Sequence, residues 1–316
     1  MKIVDRVTII CIAYNHEKWI EETLESVKLQ DYYSKELIII DNGSTDQTPE
    51  IIRRWVSQQS GNMSVQTIFM EEEMPYCGLF NQSLGSLSSQ YVVDLSGDDV
   101  LYPDHLSLSI DQLRKAPYAA FVYSDAYILT TDGEIKTFYK RNSYGDLEEE
   151  ILQGELYETL IEHNYICSPT IVFNAKVLEK EGGYDSGLYY EDFDIQLRLA
   201  RKYPVVFSDH IGVLKRQHSN SLSSSQYQRY KSKMLPSTLA VCVKVKAMNI
   251  HPEEDKALGK RILYELKHAL WSANFEPAEG FVKLGEEIGL KGIRFAIYGY
   301  WLKRRFDFSW LYLQIT

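Results

Sequence analysis

The first part of the chain alternates between short apolar runs and segments with helical periodicity, which constrains the fold more than any other feature. The runs Val7–Ala13, Glu36–Ile40 and Tyr91–Leu95 lack the polar–apolar alternation of half-exposed strands. Such runs are typical of strands buried on both faces of a parallel sheet. Together with the intervening helical segments, they predict an α/β fold with right-handed crossovers.

The intervening segments carry apolar residues at the three- and four-residue spacing of a helix with one buried face. We expect these helices at Lys18–Leu29, Pro49–Val56, Leu79–Leu87 and Pro103–Lys115, and a further strand at Ser64–Phe69.

Polar side chains follow three of the predicted strands. Tyr14, Asp41 and Asp98 come where the strands end, and ligands of open α/β sheets bind at the carboxyl ends of strands. Asp98 and Asp99 are adjacent acids, whose repulsion is costly unless a cation joins them. Hard divalent cations prefer carboxylate oxygens and often share their coordination with substrate phosphates. The alternative is a solvated turn, since Asp and Gly are common turn residues. The convergence of the three strand ends favours a metal–diphosphate site.

The second half of the chain is less regular. A hairpin is predicted from 119–129 and 134–138, followed by strands at Thr170–Phe173 and Val205–Phe207. Beyond the serine-rich stretch Ser219–Ser225, the pattern becomes helical. We therefore expect a catalytic domain over residues 1–220 and a mainly helical region over 221–316.

Composition excludes several classes of protein. The formal net charge of −10 argues against a nucleic-acid-binding surface, which is basic. The four cysteines form no CxxC pair, and no apolar stretch is long enough to cross a bilayer. The N-terminus also lacks the apolar core of a signal peptide. These features predict a cytoplasmic location.

Four segments, in order along the chain, carry a family resemblance. They are Ile10–Asn15 with Ile40–Asp46, Ser96–Asp99 with Tyr102–Leu106, Gly182–Asp185 with Glu191–Asp192, and Lys215–His218. Over roughly residues 5–220 they resemble family 2 glycosyltransferases of the GT-A fold. The resemblance implies a Rossmann-like mixed sheet flanked by helices, with the helical segment as a C-terminal extension.

On the nucleotide side, the resemblance implies that Tyr14 stacks on the base. The backbone of Ile12 and Ala13 would line the base pocket, and Asp41 or Asn42 would bind the base edge. The usual pair of acids is Asp41–Asn42 here, and the amide retains an acceptor for a uracil or thymine imide. This favours a UDP- or dTDP-linked sugar.

On the phosphate side, the resemblance implies that Asp98 and Asp99 hold ribose and metal, either Mn²⁺ or Mg²⁺. His218 would approach the metal or the diphosphate, and Arg216 would meet phosphate. Asn81 resembles a family residue that faces the diphosphate; the alternative is an asparagine that is hydrogen-bonded within the fold.

The acceptor-side segment supplies the predicted general base. Asp192 fits the family spacing best, with Glu191 and Asp194 as helix-capping neighbours at the positive end of the dipole. One base opposite the leaving group gives inversion at the anomeric carbon.

The resemblance therefore implies an inverting glycosyltransferase that transfers a hexosyl or N-acetylhexosaminyl group to a saccharide or lipid-linked saccharide, in bacterial surface polysaccharide synthesis. One alternative is a sugar nucleotidyltransferase, but the turn Tyr14–Glu17 lacks the glycine-rich phosphate loop of that class. Another is a non-catalytic nucleotide- or sugar-binding module, which would need neither Asp192 nor the Asp98–Asp99 pair.

The C-terminal stretch Lys291–Thr316 combines five basic residues with many aromatics. A basic, aromatic-rich segment on an acidic protein suits an anionic membrane surface. This predicts peripheral contact with the inner face of the plasma membrane. The alternatives are a helical lid packed on the catalytic domain and a dimer contact.

Overall fold

A computed structural model describes residues 5–59, 63–218 and 225–312 of the chain. In this part of the chain, nine strands form one mixed sheet with the order β3-β2-β1-β4-β8-β6-β9-β5, and β7 pairs with β6. The strands are β1 (Val7–Ala13), β2 (Lys35–Asp41), β3 (Ser64–Phe69), β4 (Tyr91–Ser96), β5 (Val100–Leu101), β6 (Phe121–Leu129), β7 (Ile135–Thr137), β8 (Val172–Asn174) and β9 (Val206–Arg216).

The first four strands are parallel, as their apolar runs predicted. β1 lies between β2 and β4, and β3 pairs with β2 at the edge. All seven residues of β1 are buried, which explains why its sequence does not alternate. Burial of each large aliphatic side chain here contributes about 1.5–3 kcal/mol.

The remaining strands make the sheet mixed. β8 pairs antiparallel with β4 and β6, while β9 runs parallel to β6. The predicted strand Val205–Phe207 was too short, because β9 continues to Arg216. Its middle, Ser208–His210, is polar, and the pairing with β6 shifts register there, so the segment lacks the continuous apolar signal of β1.

Helices cover the sheet in the first half of the chain. They are α1 (Ile20–Lys28), α2 (Thr48–Ser57), α3 (Tyr76–Leu84) and α4 (His105–Lys115). The apolar faces of α1, α2 and α4 share one core with β1 and β4, which includes Ile9, Leu24, Trp55 and Ile110. α3 begins at Tyr76, three residues before the predicted Leu79 and directly after Pro75.

The second half adds the other helices and one 3₁₀ turn. They are α5 (Tyr157–Glu162), the 3₁₀ turn Ser168–Thr170, α6 (Ala175–Lys180), α7 (Asp192–Ala200), α8 (Met234–Met248), α9 (Pro252–Trp271), α10 (Phe275–Glu287), α11 (Ile293–Arg304) and α12 (Ser309–Tyr312).

The chain divides into two compact units. The first comprises Met1–Leu156, Ile166–Ser186 and Arg198–Gln217, and the second comprises Tyr157–Tyr165, Gly187–Leu197 and His218–Thr316. The first unit contains the sheet, and the second contains helices α8 to α12. The boundary between residues 220 and 221 stays a prediction; positions 219–224 lie outside the described residues.

Candidate functional site

The ends of β1, β2 and β4 meet in the first unit. Ala13 pairs with Asp41, and Ile12 pairs with Ser96. Beyond the strands, Asn42 N–H donates to the Ala13 carbonyl at 2.8 Å, and Gly97 N–H donates to the Ile12 carbonyl at 3.0 Å. The backbone of Ile12 and Ala13 thus joins the three strand ends; its contact with a nucleotide stays a prediction.

Gly97 is required by this close approach. A Cβ at this position would lie 2.7 Å from His16 Nδ1 and 2.8 Å from Ala13 Cβ. Any side chain would push apart the turn that leads to Asp98 and Asp99.

Tyr14 follows β1 and keeps 38% of its surface exposed. The nearby Glu73 carboxylate raises the pKa of the Tyr14 hydroxyl, which places the hydroxyl end of the ring against an acidic segment. A partly exposed ring at the end of a strand can stack on a planar base.

Asp41 and Asn42 have different surroundings. Asp41 is 2% exposed; its Oδ2 accepts from Ser44 N–H at 3.2 Å, while its buried Oδ1 accepts no hydrogen bond within the described residues. Asn42 donates to the Met74 carbonyl at 2.9 Å and accepts from Met74 N–H at 2.8 Å. The side-chain amide of Asn42 therefore holds the segment before α3. Asp41, in contrast, has a buried carboxylate oxygen that accepts no hydrogen bond within the described residues.

Asp98 and Asp99 are buried and held by Arg216. The backbone N–H of Arg216 donates to Asp99 Oδ1 at 3.0 Å, and its guanidinium donates to the Asp98 carbonyl at 2.6 Å. The same guanidinium pairs with Glu22 at 2.5 Å. The predicted phosphate ligand Arg216 thus fixes the backbone of the acidic turn.

The chemistry of this pair fits a hard divalent cation. Burial, followed by the charge of Asp98, raises the pKa of Asp99 to about 7, since two adjacent carboxylates in low dielectric repel each other. Among residues 5–59, 63–218 and 225–312, no group of three or more His, Cys, Asp or Glu side chains could hold a metal ion. Hard divalent cations often complete their coordination with oxygens of a bound substrate.

Asn81 lies on α3 and is also tied to backbone. Its amide accepts from Tyr184 N–H at 2.8 Å and donates to the Tyr184 carbonyl at 2.6 Å. Gly183 has a φ of 65°, and a Cβ there would collide with the Asn81 amide. These contacts agree with the structural alternative for Asn81, while its predicted role toward the diphosphate stays untested.

The segment with the predicted base belongs to the second unit, where α8 and α9 hold it. Asp194 is 1% exposed and pairs with Lys244 Nζ at 2.7 Å. The Tyr190 hydroxyl shares a hydrogen bond with Thr238 at 2.7 Å. Arg261 stacks over the Phe193 ring at 4.5 Å.

These contacts separate the three acids of the segment. Asp194 is buried and forms an ion pair with the partly exposed Lys244, which indicates a structural role. Asp192 is the first residue of α7, remains partly exposed, and its Oδ1 accepts from Phe193 N–H at 2.7 Å. Asp192 and Glu191 are both partly exposed, and the role of Asp192 toward an acceptor stays a prediction. His218, also in the second unit, is partly buried, and its predicted metal role stays untested.

Sequence reasoning missed Asp94, which lies within the apolar run of β4. Its two oxygens accept hydrogen bonds from the Tyr76 hydroxyl at 2.5 Å and the Tyr184 hydroxyl at 2.8 Å. The signal was available, since a carboxylate inside a strand that is otherwise buried costs stability unless it has partners.

The segment 291–316 shows two kinds of surface in its described part, which ends at residue 312. Trp301 and Phe308 pack with Trp271 of α9, inside the second unit; packing of this segment on the catalytic domain stays an untested alternative. Ile293 and Ile297 remain exposed on α11. No helix in the described ranges is both long and apolar enough to cross a bilayer.

Comparisons with known proteins agree on one family. The family model "Glycosyl transferase family 2" matches residues 8–181. An uncharacterized glycosyltransferase of Haemophilus influenzae is 26% identical over 174 residues, which cover 54% of this chain and 52% of that protein. The poly-beta-1,6-N-acetyl-D-glucosamine synthase of Staphylococcus epidermidis is 25% identical over 200 residues, covering 62% and 46%. The chain thus spans about half the length of these relatives.

Solved structures share the fold. S. aureus TarS 1–349 in complex with UDP-GlcNAc superposes with a TM-score of 0.67 at 16% identity, covering 90% of this chain and 80% of that one. The mannosyltransferase PcManGT from Pyrobaculum calidifontis, in complex with GDP-Man and Mn²⁺, gives 0.59 at 16% identity, covering 96% and 85%. The expected GT-A fold, a mixed sheet flanked by helices with a helical C-terminal region, is confirmed.

Proposed function

The chain belongs to glycosyl transferase family 2, and from this we propose that it moves a hexosyl or N-acetylhexosaminyl group from a nucleotide-diphosphate sugar to a saccharide hydroxyl. The observation that carries the proposal is the meeting of three strand ends, which places Tyr14, Asp41 and the Asp98–Asp99 turn along one edge of the sheet.

For the nucleotide, we propose a UDP- or dTDP-linked donor. The ring of Tyr14 would stack on the base, and the unused buried oxygen of Asp41 would accept the imide N–H of uracil or thymine. Asn42 would contribute indirectly, because its amide is engaged with Met74. A TarS structure contains UDP-GlcNAc, which supports this choice of donor.

For the diphosphate, Asp98 and Asp99 would hold Mn²⁺ or Mg²⁺, with His218 as the proposed further ligand. A cation there would offset the negative charge that develops on the departing diphosphate. The contribution of Arg216 is to hold the acidic turn in place through the two hydrogen bonds described above.

For the acceptor, Asp192 would take the proton from the attacking hydroxyl as general base. A single base acting on the face opposite the leaving group inverts the anomeric carbon. Within the second unit, the contacts of Asp194, Tyr190 and Phe193 with α8 and α9 hold the segment that carries Asp192.

We propose that the product is a bacterial surface polysaccharide, with a saccharide or lipid-linked saccharide as acceptor. The poly-beta-1,6-N-acetyl-D-glucosamine synthase among the relatives supports this class of product. The exposed face of α11, with Ile293, Ile297 and Tyr300 at helical spacing beside Lys303 and Arg304, would rest on the anionic inner face of the plasma membrane.

The test is a thermal-shift screen of UDP-, dTDP- and GDP-linked sugars with and without Mn²⁺. A ligand that binds only the native state raises its melting temperature, so we expect a metal-dependent rise with a UDP- or dTDP-linked sugar. In the Asp99→Ala variant the Mn²⁺-dependent part should disappear. No rise with any donor would overturn the proposed activity, and an unchanged rise in the variant would reject the metal role of Asp99.

A further inference from the structure

Asp94 is an acid within a strand built from apolar residues. Its neighbours in β4, Val93 and Leu95, are fully buried, and its partner across the parallel pair is Ile10. Asp94 as a whole residue is partly exposed. Its two oxygens offer about four acceptor positions, and the hydroxyls of Tyr76 and Tyr184 occupy two of them.

The two tyrosines are themselves held in place. The ring of Tyr184 stacks on Phe80 with centroids 4.3 Å apart, and Asn81 binds its backbone from the same helix. Tyr76 is the first residue of α3. It lies two residues after Met74, whose backbone is hydrogen-bonded to Asn42. A carboxylate whose donors are fixed by packing is oriented before any ligand arrives.

A carboxylate in this place costs more stability than a purely structural hydrogen-bonding group would. Two neutral hydroxyls do not neutralise the charge, and burial raises the pKa of Asp94 to about 6. An asparagine could join the same hydroxyls without burying a charge. Groups that cost stability in this way are typical of sites that bind a ligand.

The position of Asp94 indicates which ligand. Tyr76 comes from the segment tied to Asn42 on the nucleotide side, and Tyr184 belongs to the Gly182–Asp185 segment that resembles the acceptor side of the family. Asp94 also precedes Asp98 by four residues on the strand that leads to the diphosphate turn. In a transfer reaction, the group that lies between diphosphate and acceptor is the transferred sugar.

We propose that the Asp94 carboxylate, oriented by Tyr76 and Tyr184, accepts hydrogen bonds from hydroxyl groups of the transferred sugar and thereby selects the donor. This inference rests on the proposed function. Hydrogen bonds from hydroxyls to a carboxylate are short and strong, and a site built to bind a substrate hydroxyl discriminates strongly against analogues that lack it. Asp94 is accordingly a specificity-determining residue, distinct from the predicted base and metal ligands.

The experiment measures affinities by calorimetry in Mn²⁺ for UDP and dTDP, each free and linked to glucose, galactose or N-acetylglucosamine. The wild type should bind one of the three linked sugars more tightly than the other two. In Asp94→Asn this preference should shrink about tenfold, the scale of one strong hydrogen bond, whereas the affinity for the free nucleotide should change less than twofold. Tyr76→Phe, which removes one orienting hydroxyl and keeps the ring, should give a smaller loss in the same direction.

Glu36→Gln is the matched control, since Glu36 is a hydrogen-bonded acid near the amino end of β2 and should leave all affinities unchanged. A wild type that binds neither nucleotide would overturn the proposed function and this inference with it. A wild type that binds and discriminates, with the same preference in Asp94→Asn or in Tyr76→Phe, would overturn this inference alone. Melting curves of each variant ensure that only folded protein is compared.

Discussion

The backbone N–H of Arg216 donates to Asp99 Oδ1 at 3.0 Å, although 117 residues separate the two in sequence. The last residue of β9 therefore fixes one carboxylate of the acidic turn after β4. Through its guanidinium, the same arginine also binds the carbonyl of Asp98. The geometry of the proposed metal site thus depends on a strand from a distant part of the chain.

Replacing Arg216 should disturb this turn. In Arg216→Met the Asp98 carbonyl and Glu22 lose a charged donor, so we expect a loss of about 1–3 kcal/mol in the free energy of unfolding. Mn²⁺-dependent UDP binding should weaken about tenfold. Chemical denaturation and calorimetry measure the two effects. Arg54→Met, at an exposed ion pair with Glu21, is the control, and unweakened UDP binding in Arg216→Met would contradict the role of Arg216.

Asp192 should be required for transfer and dispensable for donor binding. In Asp192→Asn we expect a loss of at least a hundredfold in kcat, since a positioned general base contributes about 10²–10⁴-fold. The Kd of the donor should stay within twofold. The neighbouring Glu191→Gln removes an equal charge and should retain transfer. Full turnover in Asp192→Asn would overturn the assignment of Asp192 as the base, and loss of transfer in Glu191→Gln alone would move the assignment to Glu191.

Lys244 should stabilise the segment that carries Asp192. Lys244→Met removes one cation from the buried carboxylate of Asp194. Because Lys244 itself is partly exposed, we expect a cost of about 1–3 kcal/mol in the free energy of unfolding. Transfer should fall more than donor binding. The control is Lys246→Met, whose ion pair with Glu287 is solvent-exposed and worth under about 1 kcal/mol.

A double variant separates the two explanations for a Lys244 effect. Lys244→Met with Asp194→Asn removes both charges, so part of the stability lost in the single variant should return. Equal losses in the single and double variants would contradict a contribution of the Lys244–Asp194 ion pair to stability.

Asp94 should give the protein a distinctive pH dependence of stability. Burial raises its folded-state pKa from 3.8 to about 6, so the folded state binds this proton more tightly than the unfolded state does. The resulting stabilisation is present below pH 4 and is lost as the pH rises through 6. The stability of Asp94→Asn relative to the wild type should therefore increase between pH 4 and 7.5. The expected increase is on the order of 1–2 kcal/mol, because Asp94 is partly exposed.

Melting temperatures of both proteins across that range measure this gain. Asp132→Asn should keep a constant difference from the wild type over this range, because hydrogen bonding by Thr130 lowers the pKa of the exposed Asp132 and its stabilisation is lost only at more acidic pH. A constant difference between Asp94→Asn and the wild type at every pH would show that Asp94 does not titrate in this window.

The exposed face of α11 should bind anionic vesicles. Neutralising Lys303, Arg304 and Arg305 together should reduce sedimentation with vesicles that contain anionic lipid by at least tenfold, since each basic residue near the surface contributes about 1 kcal/mol. Raising the salt concentration should have the same effect. Neutralising Lys28, Arg53 and Arg54 in the first unit is the control. Unchanged sedimentation of the α11 variant would exclude this surface.

Local sequence patterns determined the parallel part of the sheet. Continuous apolar runs such as Val7–Ala13 identified the central strands, because a strand buried on both faces admits few polar residues. The same patterns indicated that Tyr14, Asp41 and Asp98 share one edge, since parallel strands bring their carboxyl ends together. The length of β9 was underestimated because the middle of this strand is polar and its pairing with β6 shifts register there, so no apolar periodicity marks it.

What each polar side chain does was decided only by tertiary contacts. The sequence predicted Asn42 and Asn81 as ligand-binding amides. In the structure Asn42 binds the backbone of Met74, and Asn81 binds the backbone of Tyr184. Asp94 was hidden in an apolar run, and Asp194 was separated from Asp192 by its ion pair with Lys244. A side chain's partner depends on which segments fold against it, and that choice is set by packing over the whole chain rather than by neighbours in sequence.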